Sequence, residues 1–478
     1  MPATGTRQVA GVRAGGERAS ESRPPLRPMV RLPARARIPP AAFAEGRRSR
    51  KVRRSPRSRR RLPPPPPPPD TTGTAAVPHA AHASHTGAVA VLLNVAHAID
   101  HLMLLVFATA VGAIATDFGV SRWEDLMPYA AGAFALFGLA SLPAGRLGDH
   151  WGRRAMMLVF FFGIGASSFL VAMTHSPWQL AAALTLMGAF AAIYHPVGIP
   201  MLVQSTDRPG RVIGVNGLAG NLGIAFAALS TGFLVKYLGW RAAFAVPGLV
   251  AIACGVAFAL VAPRESAPPS KRAPRMVDLP AATIARVVLV LTLTSTCGGL
   301  IFNFTTNGNG ELLRERLASV TADPAAIGML LAGVYVVASL SQLVVGWLID
   351  RYPMKKLYLG IVAMQVPMFL LAVHAEGWAL YAVAIAFMAF VFGAIPFTDA
   401  VIVRFVDDRM RSRVTGMRFT IAFGISALAV WMLGPLVKAN GFSFLLVLLA
   451  AIAACSALAI LGLPAQAPGA PRPRGSAP

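Results

Sequence analysis

From residue 86 onward the chain alternates long apolar runs with short polar interruptions. A helix needs roughly 20 apolar residues to cross about 30 Å of hydrocarbon. Twelve runs meet that length: 88–113, 126–147, 155–174, 179–203, 212–236 and 241–263, then 283–305, 324–347, 357–375, 378–403, 414–437 and 442–463. Between the sixth and seventh lies PRESAPPSKRAPRMVDLP, the only long polar connector of this region, which divides the runs six and six. The expected fold is an all-α integral membrane protein with 12 transmembrane helices in two pseudo-symmetric six-helix halves. Residues 87–263 form the first half, 264–282 a cytoplasmic linker, 283–463 the second half and 464–478 a disordered tail.

Composition agrees with that reading. Of 478 residues, 55% are hydrophobic and only 13% charged, whereas soluble domains carry about a quarter charged residues. The charge is also unevenly placed, with 18 Lys and Arg against 4 Asp and Glu in residues 1–85. Arg, Pro, Ser and Ala dominate this leader, and seven prolines run from Pro63 to Pro69. Such a segment buries too little apolar surface to offset its chain entropy. Residues 1–86 are therefore read as a disordered Arg/Pro-rich N-terminal extension. It lacks the apolar core of a secretory signal, and its prolines forbid the amphipathic helix of a transit peptide. An extension upstream of the true start codon is a further reading. No folded nucleic-acid reader follows its basic block RRSRKVRRSPRSRRR, and no nucleic-acid partner is expected. Cys254, Cys297 and Cys455 are far apart, each in an apolar run, so no disulfide or metal framework is implied.

Lys and Arg accumulate on the cytoplasmic side of short loops. With the N-terminus inside, the cytoplasmic connectors and tail hold 19 basic residues and the opposite side holds six. Both termini are expected in the cytoplasm.

Two connectors repeat. GRLGDHWGRR (145–154) follows the second run and GWLIDRYPMKK (346–356) follows the eighth, pairing Gly145 with Gly346 and Asp149 with Asp350 at an offset of 201. DRPGRVIG and DRMRSRVTG pair Asp207 with Asp408 at the same offset, and Arg211 with Arg413 and Gly214 with Gly416 at 202. Two independent loops sharing one offset indicate two related halves, the arrangement by which transporters rock about a midplane site.

The GRLGDHWGRR segment is similar to the GxxxDRxGRR signature between helices 2 and 3 of the major facilitator superfamily, and its degenerate copy stands where that superfamily has one. The resemblance covers residues 88–463. It implies a cytoplasmic gate in which Asp149 latches that side shut with Arg153 and Arg154 as basic companions, Gly145 and Asp350 belonging to the same device. His150 stands where Arg is usual, which implies a weaker or pH-sensitive latch. A carboxylate there also meets the positive end of a helix dipole. Reading the segment as positive-inside anchors accounts for Arg153 and Arg154 but not for Asp149. AHAIDH on the first run, GAFAAIYHPVGIP on the fourth and the GN-containing, Gly-rich fifth resemble the fosmidomycin-resistance branch of drug exporters.

The polar residues of the first run carry the candidate chemistry. At 100° per residue Asn94, His97, Asp100 and His101 fall within an arc of about 120°. An ionised group at mid-membrane costs about 2.5–3.5 kcal/mol on insertion scales and turns toward a partner or a wet cavity. At 1.5 Å per residue His97 lies about 14 Å deep and His195 about 12 Å deep from the same side. In the superfamily's fold helices 1 and 4 line the central cavity, which implies one cluster of His97, Asp100, His101 and His195. Imidazoles and a carboxylate that take up and release protons suit proton coupling; a structural hydrogen bond from His97 to Asp100 is the plainer alternative. Pro196 beside His195 frees backbone carbonyls and kinks its helix. Gly214, Gly217, Gly220 and Gly223 allow close helix approach around Asn216 and Asn221. The superfamily's antiporter signature has a Pro after Gly on this helix, and none follows Asn221. Asn303, Thr305, Thr306 and Asn307, placed near the outer end of the seventh run, are candidates for binding a solute, and Asp399 for pairing with Arg404.

HxxxH spacing also occurs in membrane di-iron enzymes, but those need about eight histidines. Of the nine here only His97, His101 and His195 lie at working depth. A channel or receptor shares the fold without active transport. No nucleotide-binding GxxxxGK[ST] loop is present. The expected function is secondary active transport of a small organic solute by alternating access, not an enzymatic one: proton-coupled efflux of drug-like or anionic compounds, with proton-coupled uptake of a small organic acid or metabolite as the alternative. The site residues are Asn94, His97, Asp100, His101, His195, Asn221 and Asn303. No cofactor or metal is expected. The partners are a small-molecule substrate, protons and the lipid bilayer, and the protein is read as a monomer of the bacterial inner membrane.

Overall fold

A computed structural model describes residues 79–203, 209–263, 280–405 and 408–464, and every regular element among them is helical. The helices are α1 (His79–Asp117), α2 (Trp123–Leu139 with Ser141–Trp151), α3 (Arg153–Ala172), α4 (Pro177–Val203), α5 (Pro209–Leu238) and α6 (Trp240–Val261), then α7 (Ala281–Arg316), α8 (Pro324–Ile349), α9 (Met354–Ala372) and α10 (Gly377–Phe405). A last continuous stretch, Asp408–Leu461, is divided at Gly441, whose φ of 74° is not helical, into α11 (408–440) and α12 (442–461). Ten described helices are long and apolar enough to cross a bilayer and the bent α2 makes eleven. The break at Gly441 restores the twelve that the apolar runs predict. Residues 1–78, 204–208, 264–279, 406–407 and 465–478 lie outside the described residues, and with them most of the leader, most of the linker and, at Asp207, part of the second repeat pair.

The hinges bear out the duplication. Gly239 between α5 and α6 (φ 82°) and Gly441 between α11 and α12 (φ 74°) both take the left-handed backbone that glycine tolerates. They stand one repeat apart, at corresponding junctions of the two halves.

Two local expectations need correction. The second run is not one straight helix. It enters as two 3₁₀ turns and bends by 44° at Ala140. Pro143 has no N–H for the carbonyl four residues back, and the Ser141 hydroxyl donates to Phe137 O at 2.7 Å, a back-bond that bends helices. The fourth run, as expected, departs from α-geometry at Pro196, in a π-turn over Tyr194–Gly198. The GRLGDHWGRR connector is no loop. Its first residues finish α2, and a single residue, Gly152 (φ 88°), separates α2 from α3.

The seventh helix also runs on to Arg316, past the expected end at 305. NGNGELLRER reads as a polar connector, yet Asn307, Asn309 and Glu311 are all buried against neighbouring helices. Asn303 is therefore near mid-helix, not near an end.

The molecule has a face carrying the Trp123 turn and an opposite face carrying Gly152. At the Trp123 face the two halves meet. Gly232 of α5 and Gly328 of α8 pass so closely that a Cβ on either would press on backbone. Gly434 of α11 lies against the Glu124 carbonyl, and Trp123 stacks on Phe442 with centroids 6.1 Å apart. Lys236 pairs with Asp323 at 2.9 Å, and Lys438 with Asp125, each across the halves. Between the halves lies a cavity of about 410 Å³ reaching from mid-helix to Ile213, Tyr358 and Asp399 near the Gly152 face.

Candidate functional site

The inner end of that cavity is built by α1, α4 and α5. Gly220 and Gly223 let α5 approach α1 until a Cβ at 220 would overlap the His97 ring and one at 223 the Ala98 backbone. Gly214 and Gly217 meet nothing within 4 Å, so only half of the glycine ladder serves packing.

His97 is held on three sides. Its Nδ1 is 2.7 Å from the carbonyl oxygen of Asn216, and because a carbonyl only accepts, Nδ1 carries the proton. Its ring stacks on Tyr194 at 4.7 Å. Its Nε2 lies 3.1 Å from Nε2 of His101, a separation that fits donation from His101 to the lone pair of His97. The Asn216 amide donates to Asn94 Oδ1 at 3.1 Å and to the Tyr194 hydroxyl at 2.6 Å. Asn216 is thus the hub of the site.

The four titratable residues expected to gather do so. The His195 ring centroid is 5.1 Å from that of His97 and 5.7 Å from that of His101. The π-turn makes this possible by turning His195 toward α1. Asp100 is fully buried and its Oδ2 lies 3.4 Å from His195 Nε2. Neither carboxylate oxygen has a hydrogen-bond partner among the described residues. The expected alternative, a hydrogen bond from His97 to Asp100, is not formed, because both nitrogens of His97 are directed to Asn216 and His101.

His97, His101, His195, Asn221 and Asn303 line the cavity. Asn94 and Asp100 do not. They stand behind the histidines, so Asp100 communicates with the cavity through His195 rather than directly. The Asn221 amide donates to Gln342 Oε1 at 2.8 Å across the halves, and that of Asn303 to Ser426 Oγ at 2.8 Å. Thr306 also lines the cavity while Thr305 and Asn307 do not, and all three hydrogen-bond back to their own helix. Gln365, Asn216, Gln342 and Ser426 are also among the polar residues of the lining. The roles of Asn216 and Tyr194 were missed in the sequence, although an amide inside an apolar run is a signal of the kind that marked Asn94.

The gate residues are partly brought together. A Cβ at Gly145 would meet Pro196 at 3.3 Å and one at Gly148 would meet Val197 at 3.0 Å, so the end of α2 rests on the π-turn beside His195. Asp149 and Asp350 are exposed at equivalent ends of α2 and α8 and make no ion pair among the described residues. Arg154 is turned away from Asp149. Its Nε and Nη2 donate to the carbonyls of Ala262 and Ala259 at 2.8 and 2.7 Å, closing the C-terminus of α6.

Buried glutamates form a second polar group at the Trp123 face. Glu311 lies 3.5 Å from Arg314 Nε on α7, and Glu124 pairs with Arg122. Neither glutamate stood out in the sequence, because both fall where loops are expected.

Two helical halves around a polar cavity, closed on one face and open toward the other, are the architecture of a multi-pass membrane protein. The chain belongs to the Major Facilitator Superfamily, whose family model matches residues 93–316 and 316–478. It is 31% identical over 206 residues to the probable actinorhodin transporter of Streptomyces coelicolor, covering 41% of this chain and 34% of that one. It is 30% identical over 195 residues to a puromycin resistance protein of Streptomyces alboniger, covering 40% and 36%. Over 171 residues it is 29% identical to the tetracenomycin C resistance and export protein of Streptomyces glaucescens, covering 34% and 31%. The chain thus spans about a third of the length of these relatives. Its fold is similar to the crystal structure of a bacterial homolog of the human lysosomal transporter Spinster in an inward-facing, unoccupied conformation. The TM-score is 0.59 at 15% identity, covering 79% of this chain and 95% of that one, a likeness of fold alone.

Proposed function

We propose that the protein exports a drug-like organic compound in exchange for protons. The observation that carries this reading is the cluster at the inner end of the cavity, where His195 stands between the lumen and the fully buried Asp100. An anionic carboxylate without a hydrogen-bond donor is costly in such a place unless His195 bears a proton. Asp100 and His195 are then neutral together or charged together, and each opening of the cavity can reset that state. A cavity of about 410 Å³ is within the range that takes drug-sized ligands. The names of the Streptomyces relatives, which speak of resistance and export, favour efflux over uptake.

Basic residues concentrate on the Gly152 face, which favours placing that face in the cytoplasm; on this reading the conformation is inward-open. Asp149, exposed and without an ion pair among the described residues, fits a latch that is released. In the outward-open state it would engage, with Gly145 keeping the end of α2 seated on the π-turn.

The test is flux in proteoliposomes under an imposed pH gradient, with puromycin and polycyclic aromatic antibiotics as candidate solutes, comparing wild type with Asp100→Asn. Gradient-driven flux in wild type that is lost in the variant supports the reading. Gradient-driven flux unaffected by the substitution would sink the coupling role of Asp100 while leaving the fold intact.

A further inference from the structure

We propose that His97, His101 and His195 bind a divalent transition-metal ion at the inner end of the cavity. One ring nitrogen from each of the three lies within 4.8 Å of the other two. His97 Nε2 and His101 Nε2 are 3.1 Å apart, close to the roughly 3.3 Å between two nitrogens held at 2.0–2.1 Å from one tetrahedral ion. Their spacing of four residues puts both imidazoles on the same helical face, as in helical zinc sites.

The supporting groups are of the kind that metal-bound histidines require. Such a histidine donates its other ring N–H to a carbonyl or carboxylate, which fixes its tautomer and aim. His97 does this at Nδ1 to the Asn216 carbonyl at 2.7 Å. Asp100, buried and without a hydrogen-bond donor, supplies a carboxylate 3.4 Å from His195 Nε2. Tyr194, stacked on His97, adds no charge.

Three imidazoles favour zinc, nickel or copper over magnesium or calcium, which prefer oxygen. All three rings line the cavity, so the fourth coordination position faces the lumen, where water or a donor atom of a solute completes the tetrahedron. Binding requires neutral imidazoles and so displaces any protons they carry. This inference does not rest on the transport reading, since metal binding is measured without flux.

The experiment uses full-length protein in detergent, purified without a polyhistidine tag. His79, His82 and His85 are replaced by Ala, so that the leader contributes no ligands. Co²⁺ is titrated in and the visible absorption of four-coordinate cobalt followed; Zn²⁺ is titrated by calorimetry in buffers of differing ionisation enthalpy. One ion per chain and a tetrahedral cobalt spectrum are expected, with Zn²⁺ binding at the same stoichiometry. His101→Gln and His195→Gln, at partly exposed positions, are expected to lower affinity at least tenfold while leaving the melting temperature without metal unchanged. His374→Ala, on the surface, is expected to change nothing. Absence of stoichiometric binding, or binding that survives the combined His97, His101 and His195 substitutions, would overturn the site. Such a failure would leave proton-driven flux untouched, and loss of flux dependence on Asp100 would leave metal binding untouched.

Discussion

Asp100 on α1 and His195 in the π-turn of α4 approach to 3.4 Å, the carboxylate fully buried and the imidazole forming part of the cavity wall. In the proposed coupling their order, lumen then His195 then Asp100, would make the histidine the relay and the carboxylate the terminal acceptor. His195→Asn is therefore expected to shift the pH profile of transport, and Asp100→Asn to remove gradient-driven transport by on the order of tenfold or more, as the loss of an intramembrane titratable group implies. Initial rates in proteoliposomes across a pH series check both. Equal profiles for wild type and His195→Asn would rule out the relay.

Two glycines separate stability from conformational preference. A Cβ at Gly188 would collide with the Ala133 backbone inside the first half, whereas one at Gly434 would collide with the Glu124 carbonyl across the halves. Gly188→Ala is expected to destabilise every conformation by about 1–3 kcal/mol, the usual penalty of overpacking. Gly434→Ala is expected to leave the melting temperature nearly unchanged and to drive open the Trp123 face. Thermal melts read the first effect, and thiol labelling from the Trp123 side reads the second.

Arg154 satisfies two carbonyls at the end of α6. Arg154→Ala is expected to cost about 1.5–3 kcal/mol, the range for hydrogen bonds to a charged group, with Arg154→Lys recovering part of it. Melting curves in detergent check this. A loss of transport without loss of stability would instead place Arg154 in the gate that the sequence suggested.

Asp323 makes the closed face sensitive to acid. The Lys236 ammonium, hydrogen-bonded at 2.9 Å, and the N–H groups at the start of α8 hold its carboxyl below the usual carboxylate range. The contribution of this pair to closure is present above the ordinary carboxylate pKa and is lost as pH falls through the depressed value. The pair is exposed, so the effect is small and is screened by salt. Labelling of the cavity from the Trp123 side is expected to rise at low pH on that side, and Asp323→Asn to raise it already at neutral pH and flatten the acid limb.

The number of helices and the polar cluster were legible in the sequence because both depend on one-dimensional patterns. Apolar length marks a span, and ionisable residues such as His97, Asp100 and His195 stand out inside one. Continuity was harder to read. Pro143 and Pro196 break α2 and α4, but how a freed carbonyl is satisfied depends on neighbours such as Ser141. The end of α7 was misplaced because Asn307, Asn309 and Glu311 are polar residues buried between helices, which hydropathy takes for a loop. Asn216 escaped notice as the hub because its partners, His97, Asn94 and Tyr194, come from two other helices. Gly220 and Gly145 were visible as glycines, but only the fold shows that His97 and Pro196 lie against them.

The central claim is that one cavity opens alternately to the two faces. Gly298, at the middle of α7, lines that cavity with nothing within 4 Å of where its Cβ would stand, so a cysteine fits there without strain. In a background with Cys254, Cys297 and Cys455 replaced by Ser, Gly298→Cys is challenged with a membrane-impermeant thiol reagent from each side of reconstituted vesicles. The account predicts labelling from the Gly152 side at rest and from the Trp123 side once transport is driven. Labelling from one side only, under every gradient and solute condition, would contradict it.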